Sequence, residues 1–150
     1  MPLYRHVLLV VDLTEDSLKI GRKAQALAAS LGAEVELLHV VEFVPVEPMG
    51  EALMPSPQIQ EELLQRARSR LAALATELGI SGRCRVESGN VKSEIVRVAR
   101  ESHTDLIVLG SRERHGLSIL VNLTEDTVLH AAPCDVLAMR AGRGPGTQFR

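Results

Sequence analysis

The stretch that decides the fold is Asp105 to Arg140, DLIVLGSRERHGLSILVNLTEDTVLHAAPCDVLAMR. It opens with an unbroken apolar run, Leu106 to Leu109, and passes through a polar segment that begins at Gly110. A short capped helical segment follows, then a proline stop at Pro133 and a second apolar run, Val136 to Met139. That order is strand, loop, helix, strand. A helix between two apolar strands implies a parallel pair, and strands without polar alternation are those buried on both faces. In open sheets of this kind, ligands lie beyond the carboxyl ends of the strands. The segment from Gly110 to Asp126 is therefore where a small ligand is expected.

Working outward, the same alternation fills the chain. Arg5 to Asp12 (RHVLLVVD) reads as a central strand ending in a carboxylate. Thr14 or Asp16 is placed to cap the next helix, in which Ile20, Ala24, Leu27, Ala28 and Leu31 recur at helical spacing before Gly32 stops it. Val35 to Val41 is the next strand, and His39 within it reads as a hydrogen-bonded structural residue. Pro45, Pro48, Pro55 and Pro57 with Gly50 exclude regular structure from Glu42 to Pro57, a connection that reads as a surface or oligomer-contact loop and alternatively as a lid. Ser56-Pro57 then starts a helix with the apolar line Leu64, Ala67, Leu71, Leu74, Ala75 and Leu78, ended by Gly79. Arg83 to Ser88 is a more polar strand, suited to a sheet edge. Asn90 or Ser93 starts a helix burying Val91, Ile95, Val98 and Ala99. Residues 141–150 are glycine-rich and aperiodic and read as a mobile tail.

Composition narrows the function. The 150 residues, 45% hydrophobic, suit one domain spanning 1–150 with a single core system. A formal charge of -2 gives no general field for nucleic acid or anionic membranes, and 2% aromatic content leaves few stacking platforms. Cys84 and Cys134 match no metal or redox spacing, the five histidines match none either, and no metal site is expected. No apolar run is long enough to span a bilayer and the start of the chain lacks a signal-peptide pattern, so a cytoplasmic protein is expected. Ser118 in Gly116-Leu117-Ser118 lacks the second glycine of a nucleophile elbow, and neither cysteine has a catalytic base partner in its local sequence. A non-enzymatic role is expected.

The VD at Val11-Asp12, the LLHV of the second strand, DLIVLGSRERHGLS and the closing HAAPCDVLAMR together resemble the universal stress protein family over residues 3 to 140. The resemblance implies an open, Rossmann-like α/β fold with a five-stranded parallel sheet of order 3-2-1-4-5 and helices on both faces. It also implies a homodimer formed through the last strand, here Asp135 to Arg140, with unknown protein partners beyond the second copy. One branch of the family binds ATP through Gly, two residues, Gly, nine residues, Gly, then Ser or Thr. Aligned here, the first glycine is Gly110 and the hydroxyl is Thr124, while Glu113 and Leu123 stand where the second and third glycines belong.

The candidate nucleotide site is thus Asp12, Val41, Gly110, Arg112, Gly116 and Thr124, degraded at Glu113 and Leu123. Glycine lets backbone N–H groups approach phosphate oxygens, and Leu123 would place a side chain in that path. A carboxylate about 5 Å from a phosphate oxygen costs roughly 3 kcal/mol at an effective dielectric near 20, about a hundredfold in affinity. Glu125 and Asp126 add negative charge in the first turn after Thr124, while Arg112, Arg114 and His115 are placed to offset it. The resulting expectation is a dimeric interaction module of the stress response that binds ATP poorly and needs no cofactor. The alternative is an ATP- and magnesium-binding switch or slow ATPase using the same residues.

Overall fold

The computed structural model describes residues 2–43, 54–111 and 128–141. Its strands are β1 (His6–Val10), β2 (Glu34–Val41), β3 (Cys84–Ser88), β4 (Leu106–Ser111) and β5 (Asp135–Arg140). Between them run α1 (Ser17–Leu31), α2 (Pro57–Leu78) and α3 (Val91–Glu101), and a helical turn at 128–131 precedes β5. The strands form one parallel sheet of order β3-β2-β1-β4-β5, the order implied by the resemblance. The proline-rich segment 44–53, the loop 112–127 and the tail 142–150 lie outside the described residues.

Alternation along each strand divides the core into two. Val7, Leu9, Leu37 and Val108 face α1 and α2, where they meet Ile20, Ala24, Ala28, Leu71 and Ala75. Leu8, Leu38, Ile107 and Leu109 face α3 and the turn at 128–131, where they meet Ile95, Val98 and Val128. Leu8 and Leu9 are adjacent and both wholly buried, which is possible only in a strand covered on both sides. Burying one such side chain stabilises the fold by about 1.5–3 kcal/mol. The small residues Ala24, Ala28, Ala67 and Ala75 let α1 and α2 sit close to the sheet and to each other.

Polar chemistry fixes the ends of the elements. Asp105, just before β4, accepts the N–H groups of Arg5 (2.8 Å) and His6 (3.0 Å), and its own N–H donates to the His6 carbonyl. This locks the register of β1 against β4 at their amino ends. Ser56 caps α2 by accepting the Ile59 N–H, with Pro57 in the first turn, and Asn90 caps α3 through the Ser93 N–H. Gly32 and Gly79 end α1 and α2 in the left-handed conformation, at φ 67° and 68°. Asp16 occupies the cap position of α1 but makes no side-chain capping bond there. Asp12 performs the equivalent task, as described below. Gly82 has no room for a Cβ, which would lie 2.1 Å from the Val35 carbonyl oxygen.

On the α3 side, Arg85 bonds Glu87 (2.9 Å) and Glu101 (3.0 Å), and Arg97 bonds Glu87 (3.2 Å), Glu94 and Glu101 (2.8 Å). The network ties α3 to the edge strand β3. Its two guanidinium groups hold the Glu101 carboxyl below its ordinary value, first through the hydrogen bond from Arg85 and then through that from Arg97. A depressed carboxylate contributes stability above its unfolded value, about 4.5, and loses it as pH falls through the folded value. Glu101→Gln is therefore expected to lower the urea midpoint at pH 7, with the gap to wild type closing below pH ~4.5. A gap that stayed constant down to pH 3 would show that the network carries no titratable stability.

Candidate functional site

Parallel strands place their carboxyl ends on one side of the molecule, and a cavity of about 210 Å³ opens there between β1, β2 and β4. Its described walls are mostly apolar, from Val10, Val40, Val91, Ile95 and Leu109, with Asp12, Ser17 and His39 as the polar groups and Gly110 at the β4 side. The volume falls below the ~300–1,000 Å³ of typical ligand pockets.

The turn after β1 is built around the Asp12 carboxylate. Its Oδ1 accepts the Thr14 N–H (3.2 Å), the Thr14 hydroxyl (2.7 Å) and the Ser17 hydroxyl (3.0 Å). These bonds define the start of α1 and commit that oxygen within the chain. Leu13, between them, has a left-handed φ of 57° although it is not glycine, a conformation costing roughly 1–2 kcal/mol. Burial of its side chain holds it there, and Arg70 of α2 donates to its carbonyl. His39 Nδ1 lies 2.7 Å from the Val11 carbonyl oxygen. A carbonyl can only accept, so Nδ1 is the donor in this bond. His39 is thus the hydrogen-bonded histidine the strand pattern suggests, and it also borders the cavity.

Of the residues singled out from the sequence, Asp12 and Gly110 are brought to one cavity. Val41 is not among the residues bordering it. Its side chain packs toward the α1 and α2 core, its carbonyl accepts the Gly89 N–H at 3.1 Å, and the preceding Val40 borders the cavity instead. Arg112, Glu113, Gly116, Leu123 and Thr124 lie outside the described residues, as do Arg114, His115, Glu125 and Asp126. A Cβ at Gly110 would come within 2.6 Å of Ile20 Cδ1, so that terminal methyl would have to shift. Sequence reading passed over Ser17, Arg70, Val91 and Ile95 as site residues. Ser17 carried a signal, a hydroxyl five residues after a strand-terminal carboxylate, whereas Arg70 carried none because its contact spans 57 residues.

Among the described residues, no group of three or more His, Cys, Asp or Glu is placed to hold a metal ion. No helix among them is long and apolar enough to cross a membrane. Both cysteines are free. Burial raises each thiol above its ordinary value, helped by Glu36 at Cys84 and by Asp135 at Cys134, so neither is activated as a nucleophile.

A five-stranded parallel sheet of this order, with a crevice at its carboxyl ends, is an open Rossmann-like α/β fold. The chain belongs to the universal stress protein family, whose signature it matches over residues 3–140. It is 34% identical over 138 residues to universal stress protein A homolog 1 of Coxiella burnetii, covering 91% of this chain and 96% of that one. It is 30% identical to a universal stress protein of Methanocaldococcus jannaschii, with 92% and 83% covered. A universal stress family protein from Burkholderia pseudomallei shares its fold with a TM-score of 0.67 at 23% identity, covering 91% of this chain and 96% of that one. A universal stress protein in complex with cAMP superimposes with a TM-score of 0.62 at 21% identity, covering 93% and 98%. One from Archaeoglobus fulgidus in complex with dAMP gives 0.58 at 19%, covering 92% and 98%.

The contact is with the terminal methyl of a side chain that borders the cavity and can turn into it, so Gly110→Ala is expected to cost the fold about 1 kcal/mol or less. Chemical denaturation checks this. A loss of more than about 3 kcal/mol would mean that Ile20 cannot yield and that the fold itself demands glycine here.

Proposed function

We propose that this universal stress protein acts in the cytoplasm as a dimeric interaction module of the branch that binds ATP poorly, with no catalytic step of its own. The observation that carries the reading is the pair Glu113 and Leu123 at positions where the ATP-binding branch has glycine. Two features of the structure support it. The Asp12 oxygen that gathers Thr14 and Ser17 already has its donors inside the chain, and the cavity is small for a triphosphate. The test has two parts. Mass spectrometry of protein denatured after purification without added nucleotide should release no stoichiometric ATP. Calorimetry should then show that Glu113→Gly combined with Leu123→Gly gains ATP affinity, by up to ~3–5 kcal/mol from relieved repulsion and steric block, less about 1 kcal/mol per glycine in lost loop order. Tight ATP binding by the wild type would overturn the reading.

The second reading is nucleotide binding at the same crevice, and a specific observation favours it. The cavity is the size of a nucleoside, and two structural relatives are complexes with cAMP and dAMP, each carrying a single phosphate. An adenine mononucleotide would need less of the altered loop than ATP does. Titration with AMP, cAMP and ATP in parallel separates the two readings, since binding of the first two without the third assigns a mononucleotide switch.

The dimer proposed here uses the β5 edge. Val136, Leu137 and Met139 are half-buried on a strand that, among the described residues, has no neighbouring strand on its outer side, and exposed Leu3 and Leu129 border an adjoining surface hollow of about 620 Å³. The Tyr4 hydroxyl donates to Asp135 at 2.8 Å, which holds the start of the chain along this edge. Light scattering at micromolar concentration should give a dimer for the wild type and a folded monomer-rich population for Leu137→Lys. A monomeric, well-folded wild type would remove this part of the proposal.

A further inference from the structure

The candidate nucleotide site uses the carboxyl ends of the strands, and a larger hollow of about 600 Å³ opens at their amino ends. Its volume lies within the ~300–1,000 Å³ of ordinary small-molecule sites. His6, Glu34, Glu36 and Arg83 border it from the sheet, and Glu101 and Ser102 from the end of α3. Neither Asp12 nor Gly110 is part of it. The hollow has a definite electrical sign. Each of α1, α2 and α3 starts after the carboxyl end of one strand and finishes before the amino end of the next, so all three bring their carboxyl ends to this side. Each such end carries about half a negative charge. Neither α1 nor α2 has a basic residue in its last turn to offset it, whereas α3 has Arg100.

The side chains add to that sign. Three carboxylates, Glu34, Glu36 and Glu101, border the hollow against one guanidinium, the exposed Arg83. Glu101 is already bound by Arg85 and Arg97, and Glu34 has only His6, at 3.6 Å. Glu36 is the residue that points to a ligand. Its side chain is only 13% exposed, and its Oε1 is buried with no hydrogen bond. Arg85 Nη1 stands 4.0 Å from that oxygen, while its Nε and Nη2 are turned to Glu87 and Glu101. A carboxylate left in this state costs more than an unmade bond between neutral groups. Two more buried oxygens on residues of the same wall, Gln25 Oε1 and Ser102 Oγ, also lack partners. All three atoms can accept, so the group they lack is a donor. Among the described residues no group of three or more His, Cys, Asp or Glu is placed to hold a metal ion, which makes an organic donor the better fit.

We infer that this hollow binds a small organic dication, an alkyl diamine or its guanidino counterpart, with one cationic end on Glu36 and the other on Glu34. Val35 and Leu37 face α1 and α2, so strand alternation sets Glu34 and Glu36 together on the other face of β2. They are roughly 6.6 Å apart at 3.3 Å per residue, a spacing that a four-carbon diamine bridges. The helix ends favour the same charge and disfavour an anion. The hollow lies at the opposite end of the strands from the nucleotide crevice, so the inference stands whether or not that crevice is filled.

The test is calorimetric titration of the full chain with putrescine, and separately with agmatine, in low-salt buffer, with circular dichroism to verify folding. At least one of the two should bind saturably, one per chain. Glu36→Gln should weaken it about tenfold, the worth of one charge-assisted hydrogen bond. Glu34→Gln, at an exposed side chain that the fold does not need, should also weaken it, while Glu62→Gln on the first half of α2 leaves it unchanged. Arg83→Gln should keep or tighten binding. Amide shifts on titration should gather at Gly82, Ser102 and Thr104 and spare Asp12 and Gly110. The inference falls if neither amine saturates in the millimolar range, or if Glu34→Gln and a folded Glu36→Gln bind as the wild type does. It falls equally if Arg83→Gln abolishes binding, which would mark an anion site, or if the shifts spread over the acidic surface, which would mark a diffuse counterion effect.

Discussion

The rest of the structure depends on the burial of β1 on both faces. Its Leu8 and Leu9 point in opposite directions and neither touches water, so the strand must have a helical layer on each side and a hydrogen-bonded strand on each edge. An unpaired backbone N–H or C=O in such a place would cost as much as a lost hydrogen bond. This requirement leaves no polar side chain along the middle of the strand. Polar chemistry is confined to its two ends, with Asp105 gathering backbone N–H groups at the amino end and Asp12 gathering hydroxyls at the carboxyl end. The fold and the location of the site follow from the same constraint.

At the carboxyl end, structural and functional roles fall on the same atoms. Asp12 stands where a ligand-binding carboxylate is expected, and it also sets the first turn of α1. Gly110 begins the loop expected to receive a phosphate, and it also makes room for Ile20. Each therefore has a structural role that needs no ligand, and neither by itself separates a nucleotide-binding protein from one without that capacity. The function proposed above accordingly rests on the sequence at Glu113 and Leu123.

The molecule also distributes its unmatched surface unevenly. The β3 edge is short and charged, with Arg85 and Glu87 bound into a network with α3, and offers little to another strand. The β5 edge is apolar and the first turns of α2 stand free of the core.

Reading the sequence alone determined the order of the described elements, the two-sided burial of the central strands, Ser56 as the cap of α2, Asn90 as one of two candidates for the cap of α3, and the nearness of Asp12 and Gly110 at the carboxyl ends of the strands. Each of these rests on local rules: apolar runs mark strands buried on both faces, a period of 3.6 marks helices, and caps and glycines mark ends. Strand order came from the family resemblance, because local pattern does not say which strand pairs with which. Contacts between residues remote in the chain were decided only in three dimensions. Arg70 on Leu13, Asp105 on the start of β1, Ile20 against Gly110 and the choice of Val40 over Val41 at the cavity depend on packing depth and register. No spacing encodes these, since a shift of one residue along a strand exchanges its faces while leaving its composition unchanged.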